Sequence, residues 1–256
     1  VDELTALIGQ HWRLLLVYPG GITALAGCLL ARVLLEQPLR IWRGRERWNG
    51  REIVIAAVWL LTIALLPLPQ TGWPYDLDLI VLLLLIELPH WAKIIGERDQ
   101  APASVAAQLA PLLNIYPLLV LSVAAIGQGA GSLVAQEINR AGGWLHWAGI
   151  VGWASTLPPL LGLGPWQERQ PSGTLPTLRR VAHMGLLLAT ALPAHDQTPR
   201  IATVIGYGCI LLPLALLNRW WRHDADRWKA WQPWLVVIFA LLVGLASGQT
   251  LLDRLR

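Results

Sequence analysis

Apolar runs of 16–24 residues recur along almost the whole chain, and this recurrence limits the available folds more than any motif does. The runs cover about residues 12–35, 51–69, 76–96, 105–127, 144–164, 179–194, 199–218 and 231–249. A bilayer hydrocarbon core about 30 Å thick takes roughly 20 helical residues to cross. Inside it every backbone N–H and C=O must be paired within the protein, which helices achieve on their own. The polar segments between runs are too short for a separate domain. With 55% hydrophobic and only 14% charged residues, the chain also departs from soluble composition. The expectation is an all-α integral membrane protein of about eight transmembrane helices, forming a single transmembrane helical bundle over residues 1–256. The opening VDELTALIGQHWR has neither a basic leader region nor a small-residue cleavage site, so the first run is expected to stay as a helix. The sixth run, built on VAHMGLLLATALPA, is marginal as a lipid-facing span and suits a helix enclosed by others.

Basic residues set the orientation, because short loops rich in Lys and Arg stay on the cytoplasmic side. The loops after runs one, three, five and seven, with the adjoining run ends, hold fifteen of the 20 basic residues, Arg179 and Arg180 among them. Both termini are therefore expected on the outer, periplasmic side of a multi-pass protein of a prokaryotic cytoplasmic (inner) membrane. Most of the 15 Trp fall at run ends, where the ring meets lipid and the indole N–H meets head groups. Small residues in GGITALAG (20–27) and GIVG (149–152) would let helices approach closely. The segment NRWWRHDADRWKAWQPW (218–234) has the Arg and Trp content of a nucleic-acid surface. Lying between two of the most apolar runs, it is read instead as a cytoplasmic interfacial turn, with no nucleic-acid partner.

Ionisable groups inside a membrane are costly, so they come first as candidates for chemistry. In LLLLIELPHWAKIIGERDQ, Glu87, His90 and Lys93 recur every third residue and follow one helical strip. Two readings stay open. The strip is a proton-relay candidate with Glu87 deepest, or His90 and Lys93 reach the interface while Glu87 pairs with a basic group on a neighbouring helix or subunit. Glu87-x-x-His90 is one half of a carboxylate-bridged two-metal motif without a second copy, so no metal site is expected. His146 and His183 read as hydrogen-bonded packing residues, and Cys28 and Cys209 as small buried hydrophobes. No motif of a self-contained catalytic centre occurs, so no catalytic residue is assigned.

A further set of short motifs runs in one order. Gln37-Pro38-Leu39 follows the first run, Asp76-Leu77-Asp78-Leu79 opens the third, and Trp91-Ala92 lies near its end. Ala107-Gln108 opens the fourth and Gly131-Ser132-Leu133 follows it. Arg169-x-Pro171 with Leu175-Pro176 comes before the sixth, and Arg222-His223-Asp224 with Trp228-Lys229 and Pro233 before the eighth. In this order the chain resembles a shortened, divergent H-type membrane subunit (subunit 1) of respiratory complex I and of membrane-bound hydrogenases. The family's R-x-G-P-N element is missing. Ser172, Gly173 and Thr177 stand where the family has Phe, Asp and Glu, and the acidic position of its fourth span falls near Leu112-Leu113.

The resemblance implies a membrane-scaffold subunit of a proton-translocating, energy-converting assembly, lacking the usual quinone-side and proton-relay carboxylates and itself not catalytic. It would dock a cytoplasmic peripheral module to antiporter-like membrane subunits in contact with lipids. No cofactor is expected in this chain, iron–sulfur clusters are expected in partner subunits, and quinone binding is left open. The docking candidates are Arg40, Arg43, Arg45, Arg47, Arg169, Arg222, Asp224 and Lys229. The alternatives are a stand-alone small-solute or ion transporter and an accessory membrane subunit of a photosynthetic or electron-transfer complex.

Overall fold

A computed structural model of the chain describes residues 9, 17, 19–35, 49–68, 77–96, 102–138, 140, 142–163, 174–192, 201–221, 230 and 233–245. Among the described residues eight helices of more than two turns follow one another, each within or overlapping one of the eight runs, and a single-turn helix interrupts the series. They are α1 (Gly20–Leu35), α2 (Gly50–Leu65), α3 (Leu79–Ile95), α4 (Pro102–Ala130), the short α5 (Ala135–Ile138), α6 (Trp144–Leu160), α7 (Thr174–Ala191) and α8 (Ile201–Trp221), then α9 (Pro233–Leu245). The described residues contain no strand, only an isolated bridge between Asp78 and Val134.

Local chemistry sets the helix ends. Asn49 accepts from the Glu52 amide at 2.9 Å while the Glu52 carboxylate accepts from the Asn49 amide at 3.1 Å, a reciprocal cap that starts α2. Asp78 caps α3 through the Ile80 amide at 2.7 Å. The turn between α4 and α5 also holds this end: Leu79 N–H donates to the Leu133 carbonyl at 2.8 Å, and Ala135 N–H to the Leu77 carbonyl at 2.9 Å. α6 ends on Pro158-Pro159-Leu160-Leu161-Gly162, with Gly162 at φ 63°. Its amide donates to the Pro159 carbonyl at 3.2 Å and the Leu163 amide to the Pro158 carbonyl at 2.8 Å. This is a Schellman turn, which favours glycine at the left-handed position.

These stops make several helices shorter than a full crossing. α1, α2, α3, α6 and α7 have 16 to 18 residues, about 24–27 Å at roughly 1.5 Å per residue. α4 is longer, and its Gln108–Ala130 segment is, among the described residues, the one helix long and apolar enough to cross a membrane by itself. A bilayer around the shorter helices would thin or be met by flanking side chains at modest cost.

α7 is the axis of the bundle. From Leu175 to Thr190 every side chain except Pro176 is buried, and α1, α2, α3, α5, α6 and α8 all pack on it. The expectation that the sixth run needs enclosure is met in this form. One expectation is corrected, however: the helix begins at Thr174, not 179, and Arg179 and Arg180 are 3% and 5% exposed. They belong to the interior, where partners satisfy them, and not to a solvated loop. The α4–α6 contact is the most extensive helix pair. A Cβ at Gly149 would lie 2.7 Å from the Ser122 carbonyl oxygen, so only glycine permits the approach.

Among the described residues, large hydrophobic side chains cover much of the outside of the bundle. Ile22, Leu25, Leu29 and Val33 form one exposed stripe on α1, and Ile80, Val81, Leu84 and Leu88 another on α3. Mid-run Trp59 and Trp153 are buried, whereas Trp144, Trp147 and Trp234 near helix starts are exposed. Exposed apolar area this extensive marks a surface that meets lipid or other protein.

Candidate functional site

The charge of the described interior gathers where α3, α4, α6 and α7 meet. Arg179 and His183 stand four residues apart on α7, so both project to the same side, and on α3 they meet Glu87. Arg179 Nη2 donates to Glu87 Oε1 at 2.8 Å and to Oε2 at 3.0 Å. His183 Nε2 lies 2.5 Å from Oε1. Tyr116 of α4 donates its hydroxyl to Oε2 and accepts from the Trp91 indole N–H at 2.7 Å, its ring stacked on Trp91 with centroids 5.6 Å apart. Two carboxylate oxygens offer about four acceptor positions, and these contacts occupy all of them.

The same arginine closes the end of α6. Arg179 Nη1 donates to the Leu160 carbonyl at 2.8 Å and Arg180 Nε to the Leu161 carbonyl at 2.9 Å. Carbonyls of a last helical turn lack intrahelical donors and carry partial negative charge, so a cation there is favoured. The Pro-Pro-Leu-Leu-Gly stop thus presents two acceptors to two consecutive arginines. Glu87, Arg179 and the α6 terminus form one electrostatic unit, in which removing any member strands another in a low-dielectric interior. Trp59 supports α3 from α2, donating its indole N–H to the Ile86 carbonyl at 2.8 Å, close to Pro89, which removes one backbone donor from this helix.

A slot of about 510 Å³ lies between α3 and α4, walled by Ile80, Leu84, Leu88, Val120 and Val123, with Trp91, Tyr116 and Glu87 also lining it. The carboxylate there already has its four donors, so the slot offers mostly apolar wall.

Of the relay candidates, Glu87 is in the cluster just described. Lys93 pairs instead with Glu52 of α2 at 3.7 Å, on a partly exposed surface. The His90 Nε2 atom is buried without a hydrogen-bond partner. No hydrogen bond joins Glu87, His90 and Lys93, although they share a helical strip; Glu87 pairs with Arg179 of the neighbouring α7. The docking candidates Arg40, Arg43, Arg45, Arg47, Arg169, Arg222, Asp224 and Lys229 lie outside the described residues. No motif in the sequence marks Arg179 or Tyr116 as a site residue. Tyr116 carries a signal, since a phenol in the middle of an apolar run needs a partner for its hydroxyl.

A helical bundle with apolar sides and its charge paired inside is compatible with an all-α membrane protein. Among solved structures it is similar to a chain of the membrane-bound sulfane sulfur reductase (MBS), an archaeal respiratory membrane complex, with a TM-score of 0.68 and 15% sequence identity, over 92% of this chain and 100% of that one. At that identity the likeness carries the fold, over nearly the full length of both chains. No family model matches the chain, and no curated protein matches it.

Proposed function

We propose that the chain is a membrane-embedded scaffold subunit of an energy-converting respiratory assembly, of the H type, that joins a cytoplasmic peripheral module to antiporter-like membrane subunits. The observation that carries the reading is the fold shared with a subunit of a respiratory membrane complex along the full length of that subunit. The outward apolar stripes on α1 and α3 agree with it, since they suit lipid and neighbouring membrane subunits. So does the interior, where a carboxylate with every acceptor position filled is suited to holding helices together. In this reading Glu87 is a lock between α3 and α7, redox centres belong to partner subunits, and the basic residues at 40–47 and 222–229 face the peripheral module on the cytoplasmic side.

Mild extraction from native membranes tests the proposal. The protein should co-migrate with further membrane subunits and with a peripheral module that dissociates at high salt. A protein that runs alone after the mildest extraction, and transports a solute when reconstituted alone, would be a stand-alone transporter and the scaffold reading would be lost.

A further inference from the structure

A second concave surface, on another side of α7, has a different character from the Glu87 cluster. One face of α1 carries Gly21, Ala24, Leu25, Cys28, Leu29 and Arg32 at helical spacing, and with Leu60 of α2 and Leu178 of α7 it lines a groove of about 340 Å³. The wall is apolar along its length and ends on one cation. From residue 21 to residue 32 the axial rise is about 16 Å, close to half of a hydrocarbon core of about 30 Å. The groove is therefore as deep as one leaflet.

Arg32 is the basic residue of the last turn of α1. Its Nη2 donates to Thr174 Oγ1 at 2.5 Å, which fixes the guanidinium beside the first residue of α7, where helix N–H groups add partial positive charge. Its Nε is buried without a hydrogen-bond partner. Among the described residues no carboxylate pairs with it, in contrast to Arg179, which is spent on Glu87 and on the end of α6. A cation with unspent donors at the end of a leaflet-deep apolar groove matches a molecule with one anionic head and one apolar tail.

We propose that the groove between α1, α2 and α7 binds an anionic phospholipid of one leaflet, its phosphate on Arg32 and an acyl chain along Ala24, Leu25, Cys28 and Leu29. Guanidinium and phosphate form strong charge-assisted hydrogen bonds; in phosphatidylcholine the phosphate is balanced by the head group's own quaternary ammonium, so a net-anionic lipid gains more from the arginine. The proposal rests on the membrane reading above, and the test separates the two. The full chain is reconstituted in vesicles of phosphatidylcholine with or without phosphatidylglycerol, re-extracted in mild detergent, and its retained lipid measured by native mass spectrometry. Phosphatidylglycerol should be retained about fivefold over phosphatidylcholine, the factor expected of one basic side chain at an anionic surface. Arg32→Gln should bring the ratio near one and Arg32→Lys keep most of it. Should Arg32→Gln not fold, Leu29→Trp fills the groove with the arginine kept and should lower retention of both lipids. Equal ratios in wild type and Arg32→Gln, or undiminished retention in Leu29→Trp, would overturn the lipid site. Displacement of the lipid by millimolar inorganic phosphate would make the site a soluble-anion site and also overturn it. A protein that alkaline carbonate strips from both vesicle types would sink the membrane reading itself.

Discussion

Arg179 and Glu87 are 92 residues apart in sequence and 2.8 Å apart in space, and this pair fixes α7 to α3. Breaking one partner of a buried pair costs about 3–5 kcal/mol, because the other is left charged and unmatched. Glu87→Ala and Arg179→Ala should therefore each lower the unfolding temperature of the detergent-solubilised protein sharply. Arg179→Ala should cost more, as it also strips the Leu160 carbonyl. A double variant Glu87→Leu/Arg179→Met should recover part of the loss. Strictly additive losses in that cycle would show that the two residues do not act as a pair.

Glu87→Gln addresses function. Under the proposed scaffold function, an assembly carrying Glu87→Gln should be less stable yet take up protons at the wild-type rate per assembled complex. Proton uptake abolished in a normally assembled complex would make Glu87 a relay group and refute the lock.

Tyr116→Phe removes the donor to one carboxylate oxygen and the acceptor of the Trp91 indole. Leaving buried polar groups short of a partner costs about 1–3 kcal/mol each. The expected result is a moderate drop in thermal stability together with a red-shifted, more mobile Trp signal in Trp91-only fluorescence. Spectra identical to wild type would mean that the hydroxyl bridges nothing.

At Gly149, where an added Cβ meets the Ser122 carbonyl oxygen at 2.7 Å, Ala should destabilise by about 1–3 kcal/mol through overpacking, and Leu should prevent assembly of α4 with α6. Full expression and native thermal stability of Gly149→Leu would disprove the tight backbone approach.

How far these relationships can be read from the sequence differs from residue to residue. Run length places a helix in each of the eight segments, because an apolar stretch of that size has few other ways to satisfy its backbone. Glu87 stands out because a carboxylate in an apolar run demands a partner. Which partner is invisible: Arg179 and Arg180 follow Pro171 and Pro176 and look like residues of an interfacial loop, and nothing in local spacing reports depth below a surface. Only the packing of α6 against α7 shows that the carbonyls of Leu160 and Leu161 wait there for them. The roles proposed for the basic residues at 40–47 and 222–229 rest on sequence alone.

The burial of α7 also has a consequence for how the protein is made. A helix carrying Arg179, Arg180 and His183 is a poor candidate for independent entry into a bilayer, where each central arginine costs roughly 2.5–3.5 kcal/mol on insertion scales. The segments that satisfy it, Glu87 on α3 and the carbonyl end of α6, precede it in the chain and leave the ribosome first. Synthesis in this direction delivers the receptor before the helix that needs it, so the most central element of the bundle is also one of the last that can be fitted.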